Sequence, residues 1–71
     1  MTTEEVLLQR YGSPLLTIQQ VAEVLDRSPE GLRISLAGDG DVARRLRPAK
    51  VKIGRRVYWR ASTLARVIDE A

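Results

Sequence analysis

The stretch TIQQVAEVLDRSPEGLRISLAG, residues 17–38, narrows the possible folds more than any other part of the chain. Thr17 followed by Gln20 has capping-box spacing, in which a hydroxyl and a carboxamide each satisfy a free backbone N–H at a helix start. Ile18, Val21, Ala22 and Leu25 fall at i, i+3, i+4 and i+7, one face of a helix. Asp26-Arg27 interrupts the pattern. Ser28 is a strong N-cap, and Pro29 suits a first helical position because the N–H it lacks would have no partner there. Leu32 and Leu36 then face a core, and Gly38 stops the second helix. Gly31 inside it costs roughly 1 kcal/mol relative to Ala. Two short helices across a turn of about three residues make helix-turn-helix geometry.

The flanking segments have their own signals. Thr2 and Glu5 also have capping-box spacing and open a helix over residues 2–11, with Leu7 and Tyr11 on one face and Gly12 at its end. Ser13-Pro14 breaks it. In residues 39–46, Asp39-Gly40-Asp41 makes a turn, and Asp41 is placed to cap one turn of helix ending before Pro48; an ordered or mobile loop reads equally well. Residues 50–60, KVKIGRRVYWR, hold two alternating β-branched or aromatic runs around a glycine and two arginines, which predicts a hairpin. A two-residue loop, Gly54-Arg55, suits a type II′ turn but sets Ile53 against Arg56. A three-residue loop over 54–56 pairs Ile53 with Val57 and Val51 with Trp59, keeping apolar residues together, and is the expectation. Val51, Ile53, Val57 and Trp59 then cover the core, Lys52 and Tyr58 face outward, and Arg55 and Arg56 form the tip. Ser62 is expected to cap a last helix over 62–70, with Leu64, Val67 and Ile68 packing inward. The order is helix, helix-turn-helix, hairpin, helix. The expected class is mainly α with a small β-hairpin: one winged helix-turn-helix domain over residues 1–71.

Composition limits the chemistry. With no cysteine and no histidine, disulfides, thiolate zinc sites and imidazole catalysis have no residues to work with, and no cofactor is expected. No Gly-rich phosphate loop or placed carboxylate pair suggests an enzyme. No apolar run approaches the roughly 20 residues of a membrane span, and the start, MTTEEVLLQR, is acidic where a signal peptide is positive. The expectation is a cytoplasmic protein that binds neither membrane nor small molecule. Charge is segregated. Residues 1–43 carry three arginines against seven acids, whereas residues 44–60 carry eight basic residues and no acid. Natural surfaces that only solubilise mix both signs, so the basic segment points to an anionic partner.

The run LLTIQQVAEVLDRSPEGLR resembles the opening of excisionase-like and MerR-like winged-helix DNA-binding domains, with Leu16, Thr17, Ala22, Leu25, Ser28, Leu32 and Arg33 at matching places. RPAKVKIGRRVYWRASTLARVI resembles the same family's wing and final helix, through Pro48, Lys52, Gly54, Arg55, Arg56, Trp59, Leu64 and Ile68. The likeness spans residues 15–68. Against that pattern, residues 2–11 are an extra helix and residues 39–46 look like an insertion. MerR-type regulators add a long dimerisation helix and an effector domain to this part, and ligand sensing of that kind is not expected of residues 1–71. The resemblance implies a mobile-element protein that binds double-stranded DNA: an excisionase or a small transcriptional regulator. An integrase or a second copy of the chain is a further partner. The alternative is a protein-interaction module that acts on an integrase or repressor through its N-terminal helix and acidic half; such a role leaves the basic segment unexplained.

The helix starting at Ser28 is then expected in the major groove, presenting Ser28, Glu30, Gly31, Arg33 and Ile34 to the DNA, with Ser28, Glu30 and Arg33 as contact candidates; Arg33 reads guanine or grips phosphate. Glu30 either accepts from cytosine N4 or merely complements the helix dipole. Arg55 and Arg56 reach the minor groove or backbone. Arg44, Arg45, Arg47, Lys50, Lys52 and Arg60 touch phosphates, which position the protein without specifying sequence. Tyr58 is a candidate for a phosphate hydrogen bond. Trp59 is expected in the core rather than stacked on a base.

Overall fold

Among the described residues, five helices and three short strands follow in the order α1 (Thr3–Tyr11), β1 (Leu15–Leu16), α2 (Ile18–Val24), α3 (Pro29–Ala37), α4 (Asp41–Leu46), β2 (Lys50–Ile53), β3 (Arg56–Arg60) and α5 (Ala61–Glu70). A single 3₁₀ turn, Arg47–Ala49, joins α4 to β2. The structure is a computed structural model and describes residues 1–70. The chain is mainly helical with a three-stranded antiparallel sheet in the order β1-β3-β2.

The helix boundaries follow the capping chemistry. Thr2 accepts from the Glu5 N–H at 3.1 Å, and Gly12 closes α1 with φ +67°. Thr17 and Gln20 form the complete capping box of α2, at 3.2 and 3.0 Å. Ser28 accepts from the Gly31 N–H at 3.0 Å at the start of α3. Between α2 and α3, the Arg27 N–H reaches Ala22 O at 2.8 Å and the Asp26 N–H reaches Glu23 O at 3.2 Å. Asp26 there has φ +56°. These are the two bonds and the left-handed residue of a Schellman motif, the turn that redirects the chain from α2 into α3.

One core joins every helix. Leu7, Leu16, Val21, Ala22, Leu32, Leu46, Ala49, Trp59, Ala61, Leu64 and Ala65 are buried together. Residues 41–46 are an ordered helix that contributes Ala43 and Leu46 to the interior. Asp41 is the first residue of α4 rather than its cap; Gly40 occupies the cap position without a side-chain bond, and Asp41 instead pairs with Arg45 one turn on, at 3.0 Å. Ser62 likewise lies inside α5, which already begins at Ala61, directly after β3. The Ala61 N–H donates to Pro14 O at 2.8 Å, continuing the β1–β3 pairing up to the first residue of α5. β1 itself carries no sequence signal of its own: two leucines before a helix cap read as part of a linker.

The hairpin register departs from expectation. Ile53 is paired with Arg56, Lys52 with Val57, Val51 with Tyr58 and Lys50 with Trp59. The loop is therefore two residues, Gly54-Arg55, with positive φ at Gly54 alone. That is the type II′ pattern, whose backbone twist matches the twist of the strands it joins. Side chains alternate along a strand and directly opposed residues share a face. So Leu16, Trp59 and Val57 share one face with Lys50 and Lys52, and Leu15, Val51 and Ile53 share the other with Tyr58, Arg56 and Arg60. Val51 and Ile53 do not cover the core, and Lys52 is on the opposite face from Tyr58. Turn geometry outweighed apolar matching because the core needs only the Trp59 and Val57 side of this ribbon. Ile53 remains 53% exposed.

Candidate nucleic-acid interface

The first two turns of α3 turn outward. Ser28, Glu30, Gly31, Arg33 and Ile34 are all exposed, while Leu32 between them is fully buried. Ser28 spends its hydroxyl on the cap, and a Cβ at Gly31 would stand 2.8 Å from that hydroxyl oxygen. Glycine here leaves room for the cap. Ile34 is 71% exposed, the most solvent-accessible large aliphatic residue after Met1. Glu30, Arg33, Ile34 and Ala37 recur at i, i+3, i+4 and i+7 and form one exposed face.

Between that face and the hairpin runs an open groove of about 420 Å³, lined by Ile18, Arg33, Leu36, Ala37, Lys50, Val57 and Trp59. Arg33 comes from α3 and Lys50 from β2, so the fold brings a cation from each element to one concavity. Lys52 shares the strand face of Val57 and is exposed beside it. Arg55 is in the hairpin loop, at the tip as expected; Arg56 is instead the first residue of β3. Arg56, Tyr58 and Arg60 project from the opposite face of the ribbon, where Tyr58 is half-buried.

The remaining arginines divide. Arg47 lines a cavity of about 70 Å³ with Lys50, Trp59, Leu36, Ala43 and Leu46. Its guanidinium lies 3.5 Å from the Asp39 carboxylate. Arg44 and Arg45 line a separate cleft with Pro48, Val67 and Glu70 from α5. The basic segment is thus one run in sequence but three surfaces in space: the groove side, the outer sheet face and the α4–α5 cleft. The Asp41–Arg45 pair had a sequence signal, opposite charges at i and i+4.

Trp59 is 4% exposed and anchors the core. Its indole Nε1 is buried and has no hydrogen-bond partner, the single such side-chain atom among the described residues. Leaving a buried donor unpaired costs about 1–3 kcal/mol. The core position agrees with the expectation that favoured packing over base stacking for Trp59, and nothing in the sequence marks the orphaned donor.

Away from the groove, Glu23 of α2 binds both Arg10 and Tyr11 of α1: the Arg10 guanidinium by an ion pair, and the Tyr11 hydroxyl donating at 3.2 Å. The Arg10 guanidinium also sits 5.4 Å from the centre of the Tyr11 ring. Burial, then the hydrogen bond to Glu23, raises the Tyr11 phenol above its ordinary value. An acid of the N-terminal half is thereby committed to holding α1 in place. Thr3 adds a hydrogen bond from α1 to Asp69 of α5 at 2.6 Å.

Among the described residues no group of three His, Cys, Asp or Glu side chains is placed to hold a metal ion. No helix among the described residues is long and apolar enough to cross a membrane. Compared with protein-family models, with curated proteins and with solved structures, the chain matches none.

Proposed function

We propose that this chain is a double-stranded DNA-binding protein of the winged helix-turn-helix class, with α2 and α3 as the helix-turn-helix and β2–β3 as the wing. Within that class, the reading is a mobile-element protein, an excisionase or a small transcriptional regulator. The observation that carries the class is the convergence of Arg33 from α3 and Lys50 from β2 on one groove, beneath an exposed helix face. A protruding helix with exposed residues at i, i+3, i+4 and i+7 suits the major groove, which admits one α-helix. Glu30 and Arg33 are the polar base-reading candidates on it. Lys50, Lys52 and the loop residue Arg55 would then meet the flanking backbone, and Arg56 the strand next to it. The choice of a mobile-element role rests on the sequence resemblance alone.

The test is selection from random duplex DNA, with gel shifts at two salt concentrations. An enriched motif, and loss of the shift in the Arg55→Ala/Arg56→Ala double variant with its helical circular dichroism intact, support the reading. Absence of binding to any duplex at low salt overturns it.

A second reading has its own observation. The outer sheet face carries Leu15, Val51, Ile53 and Tyr58, and Ile53 is exposed. A face of this kind suits contact with a protein partner, such as an integrase or a second copy on adjacent DNA. Sedimentation of the free and DNA-bound protein distinguishes self-association from recruitment.

A further inference from the structure

α3 carries one side chain that folding does not account for. Ile34 lies in the middle of the helix and is 71% exposed. The core contacts of α3 come from other residues: Leu32 is fully buried, and Leu36 packs against the buried cluster. Burial therefore does not select an isoleucine at position 34. Helix propensity does not select it either, because a β-branched side chain loses rotamer freedom against the preceding turn, and Ala, Leu, Lys or Glu favours a helix more. Solubility favours a polar residue at so open a position.

The neighbours of Ile34 are of one kind. Glu30 lies one turn before it, Arg33 next to it and Ala37 one turn after, all exposed. Arg33 and Ala37 both line the groove to which β2 contributes Lys50. An aliphatic side chain set among charged ones, at the border of a cationic groove, suits a polyanion that carries an isolated apolar group. The major groove of duplex DNA is such a surface. Its base edges are hydrogen-bond donors and acceptors, and the apolar group among them is the C5-methyl of thymine.

We infer that Ile34 is a specificity-determining residue that packs on a thymine C5-methyl in the major groove, beside the base contacts of Glu30 and Arg33. The inference rests on the DNA-binding reading and deepens it, because it places a thymine in the target site. Removal of the methyl and the aliphatic side chain from water supplies the preference. A base without the methyl leaves Ile34 wet or sets a polar edge against it unpaired.

The full chain is used to select its site from random duplex DNA. The enriched site is then resynthesised with each thymine replaced in turn by deoxyuridine, which removes the methyl and keeps the base pair. Wild-type binding is expected to fall about fourfold at one thymine, the contribution of one buried methyl group. In Ile34→Ala that thymine-to-uracil difference should vanish, and Ile34→Val should retain part of it. The difference is a ratio taken within one protein, so a general loss of affinity or of folded fraction does not move it. Ile34→Ala should melt no lower than wild type, since the position is exposed and alanine is the better helix former. An enriched site with no fixed thymine overturns the inference, as does a site insensitive to every uracil exchange. A difference that persists unchanged in Ile34→Ala also overturns it; if that variant self-associates less in sedimentation, Ile34 belongs to a protein contact. Each of these outcomes leaves the DNA-binding reading standing. Absence of binding to any duplex is a different result, which overturns that reading and the inference with it.

Discussion

Lys50 and Trp59 are directly opposed in the β2–β3 ladder, a cation against the central aromatic of the core. This pairing exists because the hairpin closes in two residues. With a longer loop Val51 would face Trp59, and Lys50 would be carried to the outer surface. The register thus decides which cations lie beside the groove.

Gly54 sets that register. Its φ of +62° lies where a Cβ is strained, although nothing crowds the position. Gly54→Ala is expected to cost about 1 kcal/mol, which lowers the melting temperature by roughly 4–8 °C in a domain of this size. Thermal melts followed by circular dichroism measure it, and an unchanged melting temperature would contradict a strained turn.

Asp26 is the opposite case, a non-glycine residue at φ +56° in the α2–α3 turn. Asp26→Gly should stabilise by about 0.5–1 kcal/mol, because removal of the Cβ strain outweighs the added freedom of the unfolded chain. The readout is a rise in denaturant midpoint at constant m-value.

Leu46 is 1% exposed in α4. If residues 39–46 were a dispensable insertion, Leu46→Ala would be mild. Its burial instead predicts a loss of about 2–5 kcal/mol, enough to unfold much of a chain whose whole stability is of the order of 5 kcal/mol or less. Loss of the cooperative melting transition is the expected result.

The division of the basic residues gives a binding prediction. Lys50→Ala/Lys52→Ala should weaken duplex binding more than Arg44→Ala/Arg45→Ala, since the latter pair lies in the α4–α5 cleft. The wild-type slope of log K against log salt should be roughly −4 to −5 for four to six engaged phosphates, and the lysine variant should lose about two units of it. Equal slopes for both variants would count against groove-side docking.

Tyr11 gives a pH prediction. Its folded-state phenol titrates above the unfolded value of 10.0, so the neutral form is favoured by folding. Its contribution to stability is therefore complete below that value and disappears as the pH rises through the raised one. Tyr11→Phe should flatten the alkaline loss of stability, read from denaturant melts across that range.

Much of the architecture was legible because caps and spacing are local. Thr17–Gln20, Ser28–Pro29 and Gly12 specify their helix ends through contacts within four residues. The hairpin's existence was legible for the same reason. Its register was not, because apolar matching selects the longer loop only in a ribbon whose apolar residues all point inward. A sheet edge that leaves Ile53 in solvent and Val51 half-buried outside the core breaks that condition, and turn twist then decides. Ser62 and Asp41 looked like caps, but α5 and α4 include them as helical residues. β1 was invisible, since two residues carry no period. For the candidate site, the cations were legible one by one as charges. Their sorting onto three surfaces was not, because it depends on how α4 and α5 pack. The orphaned indole nitrogen depends on what surrounds it, which only the fold supplies.

β3 passes into α5 with no residue between them, and the Pro14–Ala61 bond fastens that junction to β1. The base of β3 is therefore tied to a helix through the chain and to a strand through a hydrogen bond. A push on Arg55 has a covalent path along β3 into α5, which packs on α1, and a second path across the Ala61–Pro14 bond into β1.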